Sequence, residues 1–519
     1  MTHAYPPLIT ALCDPACFPH PVKRVTVLET HISWVLLAGR YAYKIKKPVN
    51  LGFLDFSQLS QRHFCCQEEI RLNRRLAPGI YLQVTAIGGS PGQPRINGEP
   101  AVEYAVKMRR FAAGKLLDTL LTRGEVTPAH IDSLAETIAR FHTGLPANPN
   151  ADFGSPAAIE APARQNFQQL LDLVNPEDAA SIELLQESCR QAFLATENLF
   201  EQRQQSGFIR ECHGDLHLGN IVLLRDRPVA FDGIEFSPEL RWIDTISDAA
   251  FLIMDLLHRG RADLAYRFLN AYLQISGDYA GLGVLRFYLS YRAAVRAKIA
   301  GYRFAQTAAE SARQECLNYL NLASSSLCPH KPALILTHGL PGCGKSVVSQ
   351  ILLEKHQLIR LRSDVERKRL FGLNPLQKSG SAINSGIYDP QASQKTYQHL
   401  LDLAQALLGY GYPVIVDAAF LKHAQRRPFQ LLAQNLGIPF VILSIQAQDK
   451  VLRQRIRHRQ EQGRDASEAD LTVLDKTTTG AEALQAEELP YNVILTNNTD
   501  GLDGNDQQAA WRELERTLK

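Results

Sequence analysis

The stretch "HGDLHLGN", residues 213–220, decides how the first half of the chain is read. Asp215 stands five residues before Asn220. In a loop, an acid and an amide at this D-x-x-x-x-N spacing suit a proton acceptor beside a cation ligand. Directly after comes "NIVLLRDRPVAFDG", 220–233, with two apolar runs about Arg225-Asp226-Arg227-Pro228. That pattern predicts a hairpin ending near Asp232. The order of loop, hairpin and acid assigns three roles. Asp215 orients or deprotonates an acceptor hydroxyl, Asn220 holds a magnesium ion, and Asp232 bridges metal and phosphates. His213 braces the loop and does no chemistry.

Upstream, residues 1–110 read as strand-rich. "HISWVLLAGRYAYKIKKPV", 31–49, has two apolar runs around Ala38-Gly39-Arg40, a further hairpin. Alternation along "YAYKIKK" puts Lys44 and Lys46 on one strand face. "SQRHFCCQEEIRLNRRLA" then sets Phe64, Ile70, Leu72 and Leu76 at roughly helical spacing, closed by Pro78-Gly79. From 111 to 325 the pattern is helical, interrupted only by the 220–233 hairpin. A small β lobe before a helical lobe is a two-lobed kinase outline.

"SSSLCPHKP", 324–332, reads as a linker. After it, short apolar strands such as "ALILTHG" and "YPVIVDAAF" alternate with helices, which argues for a parallel α/β sheet over 331–519. "GLPGCGKS", 339–346, fits G-x-x-x-x-G-K-S between a strand and a helix. Its glycines let backbone N–H groups face phosphate oxygens, and the helix N-terminus adds positive potential. Gly339, Gly342, Cys343, Gly344, Lys345, Ser346 and Val347 form the expected nucleotide cradle, with Lys345 on the outer phosphates and Ser346 on magnesium. Asp364 in "LRSDVERKRLFG" falls after the expected second strand, where a carboxylate meets ligand and accepts a hydroxyl proton. A helix-capping Ser363-Asp364 pair is the competing reading. Arg367 is a candidate for an acidic substrate group. Asp417 ends an apolar strand and is read as a magnesium-orienting or a buried structural acid. Arg455 and Arg459 share a helix face and either close over the transferring phosphoryl or belong to a solvated basic helix.

Bulk properties bound the rest. A chain of 519 residues exceeds a single core. Net charge is +3, so no global field points to nucleic acid, and any anion site is local. No apolar run reaches a membrane span. The first residues lack a secretion pattern, which gives a cytoplasmic expectation. Nine cysteines show no zinc spacing and read as reduced thiols.

The residues around Asp215 resemble the aminoglycoside-phosphotransferase and choline-kinase family, whose loop is H-G-D-x-x-x-x-N. That resemblance implies a lysine paired with a helix acid. Lys44 fits best with Lys46 in reserve, and Glu69 is favoured with Glu68 second; a solvated basic strand end is the alternative. It also implies that Asp248 in "SDAAFL" braces the loop, with Asp244 as a companion. No glycine-rich nucleotide loop stands between residues 24 and 44. Glu235 adds either a metal ligand or a salt bridge. Residues 331–500 resemble small P-loop kinases of the polynucleotide-kinase, zeta-toxin and gluconate-kinase type, which implies that Lys345 and Ser346 bind nucleotide, Asp364 is the base, and Arg455 and Arg459 belong to a lid. The whole chain resembles bacterial fusions of these two domains.

The expectation is therefore an α+β kinase-like domain (lobes 1–110 and 111–325) followed by an α/β P-loop domain. It uses ATP and Mg2+ at two sites, with a small hydroxylated molecule as acceptor. Two rival expectations are a degenerate N-terminal half that regulates the P-loop half, and a 5′-hydroxyl nucleic-acid kinase in the second half, which the charge balance disfavours.

Overall fold

Period-two alternation builds the first sheet. Strands β1 (Val25–Glu29), β2 (Ser33–Ala38), β3 (Tyr41–Lys46), β4 (Tyr81–Ser90), β5 (Gln93–Ile96) and β6 (Ala101–Arg109) pair antiparallel in the order β1-β2-β3-β6-β4-β5. Register sets Leu36 opposite Tyr43 and Val35 opposite Lys44. Trp34, Leu36, Tyr43, Ile45, Ile87 and Ile96 therefore gather in one apolar core, and Lys44 and Lys46 emerge on the other face of β3. This is a computed structural model, and it describes residues 5–50, 52, 54–148, 150, 152–174, 176–380, 386–462, 466–498 and 505–518.

The helix Leu59–Asn73 packs on β4 and β6. Its buried face is Arg62, Cys65, Cys66, Glu69, Ile70, Leu72 and Asn73, and Phe64 is 54% exposed. Hydrophobic spacing therefore misplaces Phe64, because the helix turns charge inward: the Arg62 Nε donates to both Glu103 carboxylate oxygens at 3.1 and 2.9 Å.

Two short antiparallel pairs frame the loop at 213–220. One joins β7 (Ile209–Glu211) to β10 (Trp242–Asp244). The other is the expected hairpin of β8 (Ile221–Leu224) and β9 (Arg227–Ala230). Its turn holds Arg225 at φ 50° and Asp226 at φ 62°, two consecutive positive values as in type I′ turns.

The second sheet is parallel. Strands β11 (Leu334–His338), β12 (Ile359–Arg362), β13 (Val414–Asp417), β14 (Phe440–Gln446) and β15 (Asn492–Thr496) run in the order β12-β13-β11-β14-β15. Its inner strands are almost entirely buried, as a sheet covered on both faces requires.

By compactness the chain divides into Met1–Asp172 with Phe193–Asp255, and Leu173–Ala192 with Leu256–Lys519. This differs from a division at 325–331. The reason is local: the helix Ala262–Ser276 covers the edge strand β12. Asn270 accepts from Arg360 N–H at 2.7 Å and donates to Leu358 carbonyl at 2.9 Å, meeting backbone groups that an edge would leave open. The serines of the expected linker are also helical, since a helix runs Glu310–Leu327 with Ala323 buried. Among the described residues, no helix is long and apolar enough to cross a membrane.

Candidate active sites

In the first unit, β3 and the Leu59–Asn73 helix build a chain of ion pairs. Lys44 Nζ lies 2.9 Å from Glu69 Oε1 and 2.5 Å from Asp232 Oδ1. Lys46 Nζ lies 2.8 Å from Glu69 Oε2 and also bonds Glu235. The preferred and reserve lysines thus share one acid. Glu68 pairs instead with Arg71, which donates to both its oxygens at 2.8 Å. Glu235 forms the salt bridge and is 5% exposed.

Two lysines face three carboxylates, so the site carries a surplus negative charge. Burial alone would lower the Lys44 pKa, but Asp232, Glu69 and Glu235 outweigh it and hold the group well above its ordinary value. Lys46 is raised in the same way by Glu235 and Glu69 against burial. Burial would raise Glu69, yet the two lysines bring it down to about 2. Burial pushes Glu235 up more than Lys46 lowers it, and Glu69 adds to the rise.

The 213–220 loop is held from behind. Asp248 is fully buried and accepts from His213 N–H at 3.0 Å, Gly214 N–H at 2.8 Å and the His142 ring at 3.0 Å. Burial raises its pKa, but these donors win and leave it at about 2. Asp248 thus braces the loop as the resemblance implied. Asp244 pairs instead with Arg203 at 2.7 and 2.8 Å. His213 Nε2 donates to Phe231 carbonyl at 2.9 Å, and its Nδ1 accepts from Asp215 N–H at 3.3 Å. That spends both ring nitrogens on structure, and burial lowers its pKa. His142, Cys212 and Asp248 each bring a possible ligand atom within 4.8 Å of the others. Burial keeps the Cys212 thiol well above its ordinary pKa, and Asp248 is already engaged at both oxygens.

Asn220 Nδ2 donates to Asp215 Oδ2 at 2.8 Å and to Asp215 carbonyl at 3.0 Å. Phe231 N–H donates to Asn220 carbonyl at 2.9 Å, so the ladder places Asp232 one residue from the position opposite Asn220. Asn220 and Asp232 are thus near neighbours across the hairpin, and an amide oxygen with a carboxylate is a donor set that suits a hard divalent cation. Between β1 and β2 the turn is only Thr30–Ile32 and contains no glycine.

In the second unit, the 339–346 loop follows the central strand β11, at the carboxyl edge where open α/β sheets bind ligands. Gly342 and Gly344 have φ of 84° and 97°. A Cβ on Gly344 would sit 2.2 Å from Asn497 Nδ2. Lys345 Nζ folds over the loop, donating to Gly339 and Leu340 carbonyls at 2.9 Å each. Ser346 stands in the first turn of the helix Lys345–His356, whose first N–H groups have no partner within the helix. Cys343 is buried, and the Val347 side chain is exposed, its N–H donated to Gly344 carbonyl at 3.1 Å.

Asp417 is buried at the end of β13, in register with Arg362. Its Oδ2 lies 3.4 Å from Ser349 Oγ and 3.7 Å from Arg362 Nε. Asp364, in the first turn of the helix Ser363–Leu370, is half-buried. Among the described residues its carboxylate has no hydrogen-bond or ion-pair partner, and the helix is preceded by Arg362, which makes no side-chain capping bond. Arg367 donates from Nη1 to Ile387 carbonyl at 2.8 Å and Ser393 Oγ at 3.2 Å, while its buried Nε has no hydrogen-bond partner among the described residues. Arg455 reaches the rim of the loop through Asn497, at 3.0 Å to the carbonyl and 3.2 Å to Oδ1. Arg459 donates to Ala469 carbonyl at 2.6 Å.

Sequence reasoning missed three residues, each of which holds together part of one site. Asn73 holds Gly233 by both amide atoms. His142 completes the Asp248 brace, and Asn497 links Arg455 to Cys343 carbonyl at 2.9 Å. Asn73 was within reach, since it lies four residues past Glu69 and shares its helix face.

Residues 108–288 match the family described as "Phosphotransferase enzyme family", and residues 334–484 match the one described as "AAA domain". An uncharacterized protein of Mycobacterium tuberculosis is 33% identical over 461 residues, covering 88% of this chain and 91% of its own length. A Mycobacterium bovis protein aligns with the same figures. Among solved structures, a choline/ethanolamine kinase family protein from Mesorhizobium loti is 15% identical, covers 62% of this chain and 93% of its own, and has a TM-score of 0.39. A gluconokinase from Sinorhizobium meliloti is 17% identical, covers 36% of this chain and 95% of its own, and has a TM-score of 0.26.

Proposed function

The chain belongs to a family of bacterial proteins that join a phosphotransferase-type kinase domain to a P-loop kinase-type domain, and we propose that each half is a working ATP-dependent phosphotransferase for a hydroxyl group of a small molecule. What supports this reading is that each half carries both a candidate phosphate grip and a candidate carboxylate base. In the first half the grip is Lys44 locked on Glu69, and the carboxylate is Asp215, held by Asn220. In the second half the grip is the loop at Gly339–Ser346, and the carboxylate is the unpaired Asp364.

Asp215 and Asp364 accept the proton of the attacking hydroxyl. Its oxygen then forms the bond to the γ-phosphorus while the bond to the β-phosphate oxygen breaks and ADP leaves. Lys44 and Lys345 bear on the outer phosphates, and Arg455 and Arg459 offset charge on the transferring group. Asn220 and Asp232 in one half, and Ser346 and Asp417 in the other, would hold Mg2+, which when bound would offset charge on phosphate oxygens.

The test is a metabolite-pool screen for an ATP-dependent mass gain of one phosphate, run on the wild type, Asp215→Ala and Lys345→Ala. Each variant should lose a different part of the products. A double variant that keeps full transfer sinks the proposal.

The glycine-free turn Thr30–Ile32 favours a second reading, in which the first half binds a ligand and regulates the second. Titration of Lys345→Ala with Mg·ATP separates the two: micromolar binding with turnover rules the second reading out.

A further inference from the structure

We propose that Asn73 and the buried pair Lys46–Glu235 form a positioning clasp that fixes how Asp232 presents its carboxylate. The clasp thereby sets how tightly the first half holds a metal–nucleotide complex. The inference rests on the reading that this half takes Mg·ATP.

Asp232 has φ of 63°. Outside a tight turn, that left-handed backbone costs a non-glycine residue energy that its surroundings must meet. Here they do. Asp232 N–H donates to Tyr81 hydroxyl at 3.0 Å. Gly233 N–H donates to Asn73 Oδ1 at 2.7 Å, and Asn73 Nδ2 donates to Gly233 carbonyl at 3.3 Å. Ile234 N–H donates to His213 carbonyl at 3.0 Å. Glu235 is held at its side chain by Lys46 and at its carbonyl by Arg241 at 3.0 Å. Every residue from Asp232 to Glu235 is therefore tied down.

Asn73 and Glu69 lie one turn apart on one helix, so that helix grips both ends of the arrangement: the lysines through Glu69, the backbone after Asp232 through Asn73. Lys46 is 0% exposed and Asn73 4%, so neither is placed to touch nucleotide. A buried ion pair is seldom the cheapest way to fill a core, because apolar side chains of equal volume often serve stability as well or better. Keeping Lys46 and Glu235 next to a strained metal ligand therefore points to geometry as their role.

The experiment uses the full chain carrying Lys345→Ala, which silences the P-loop site. Into it go Asn73→Ala, Asn73→Asp and the double change Lys46→Met with Glu235→Leu. Calorimetry measures the affinity for Mg·ATP and, with chelator, for metal-free ATP; thermal unfolding is recorded for each. Supporting residues around a metal typically govern its affinity by about 10–100-fold. Asn73→Ala and the double change should weaken Mg·ATP by about tenfold or more, and metal-free ATP by less than about twofold. Asn73→Asp, which keeps the acceptor for Gly233 N–H, should retain most of the Mg·ATP affinity. The clasp is overturned if both affinities fall in parallel, or if neither changes. Should the double change fail to fold, the two Asn73 variants make the same comparison. A Lys345→Ala parent that binds no Mg·ATP overturns the underlying reading itself, an outcome distinct from a parent that binds and variants that match it.

Discussion

Replacing Asp248 by Asn tests the brace behind the Asp215 loop. Its carboxyl titrates at about 2 in the fold against an ordinary 3.8. Each pH unit of that difference is worth about 1.4 kcal/mol, so ionised Asp248 contributes about 2–3 kcal/mol. An amide also turns an NH2 toward one of the two loop N–H groups, leaving a buried donor unmet at a further ~1 kcal/mol or more. The expected loss is about 3 kcal/mol. For a unit of this size that lowers Tm by about 6–12 °C. The sign with pH follows from the depressed value. The stabilisation is nearly complete above about pH 4 and is lost as pH falls through about 2, so its part of the gap halves near pH 3 and the whole gap between wild type and variant should shrink by about a third. Denaturant unfolding at pH 7 and pH 3 measures the gap, and amide exchange at His213 and Gly214 localises it. A variant within about 0.5 kcal/mol of wild type at pH 7, or a gap that does not shrink with acid, would refute the reasoning.

Gly344→Ala should weaken nucleotide binding at the P-loop by about 30-fold, since the new methyl displaces Asn497 and the residue is strained at φ 97° for a combined ~2 kcal/mol; titration with Mg·ATP of a chain that also carries Asp232→Ala, which removes a proposed metal ligand of the first half, reads it. Phe64→Ser should change unfolding free energy by no more than about 0.5 kcal/mol, because the ring is exposed; a larger loss would mean it packs inward. Arg426→Met should cost about 3–5 kcal/mol in urea unfolding, since it strands fully buried Glu488, which Arg426 now holds at 2.7 and 2.8 Å.

Local chemistry made much of this protein legible in its sequence. The 213–220 loop, the hairpin after it and the glycine-rich loop at 339–346 are contiguous, so their backbone geometry is written in neighbouring residues. The parallel sheet is equally visible, because strands covered on both faces read as unbroken apolar runs. Periodicity failed at the Leu59–Asn73 helix, where Glu69 and Arg62 are buried and Phe64 is not. A rule that sorts apolar residues inward has no term for charge neutralised by a partner far along the chain.

Asp215, Asn220, Asp232, Lys345 and Asp364 were thus readable by type and spacing. Only the tertiary structure decided that Lys44 and Lys46 share Glu69, that Glu235 is a salt-bridge acid, that Arg367 bonds the Ile387 carbonyl, and that the Ala262–Ser276 helix covers the edge of the second sheet. The physical reason is common to all four. Each depends on a pairing between residues distant in sequence, and the net energy of a buried polar group is set by which partner reaches it.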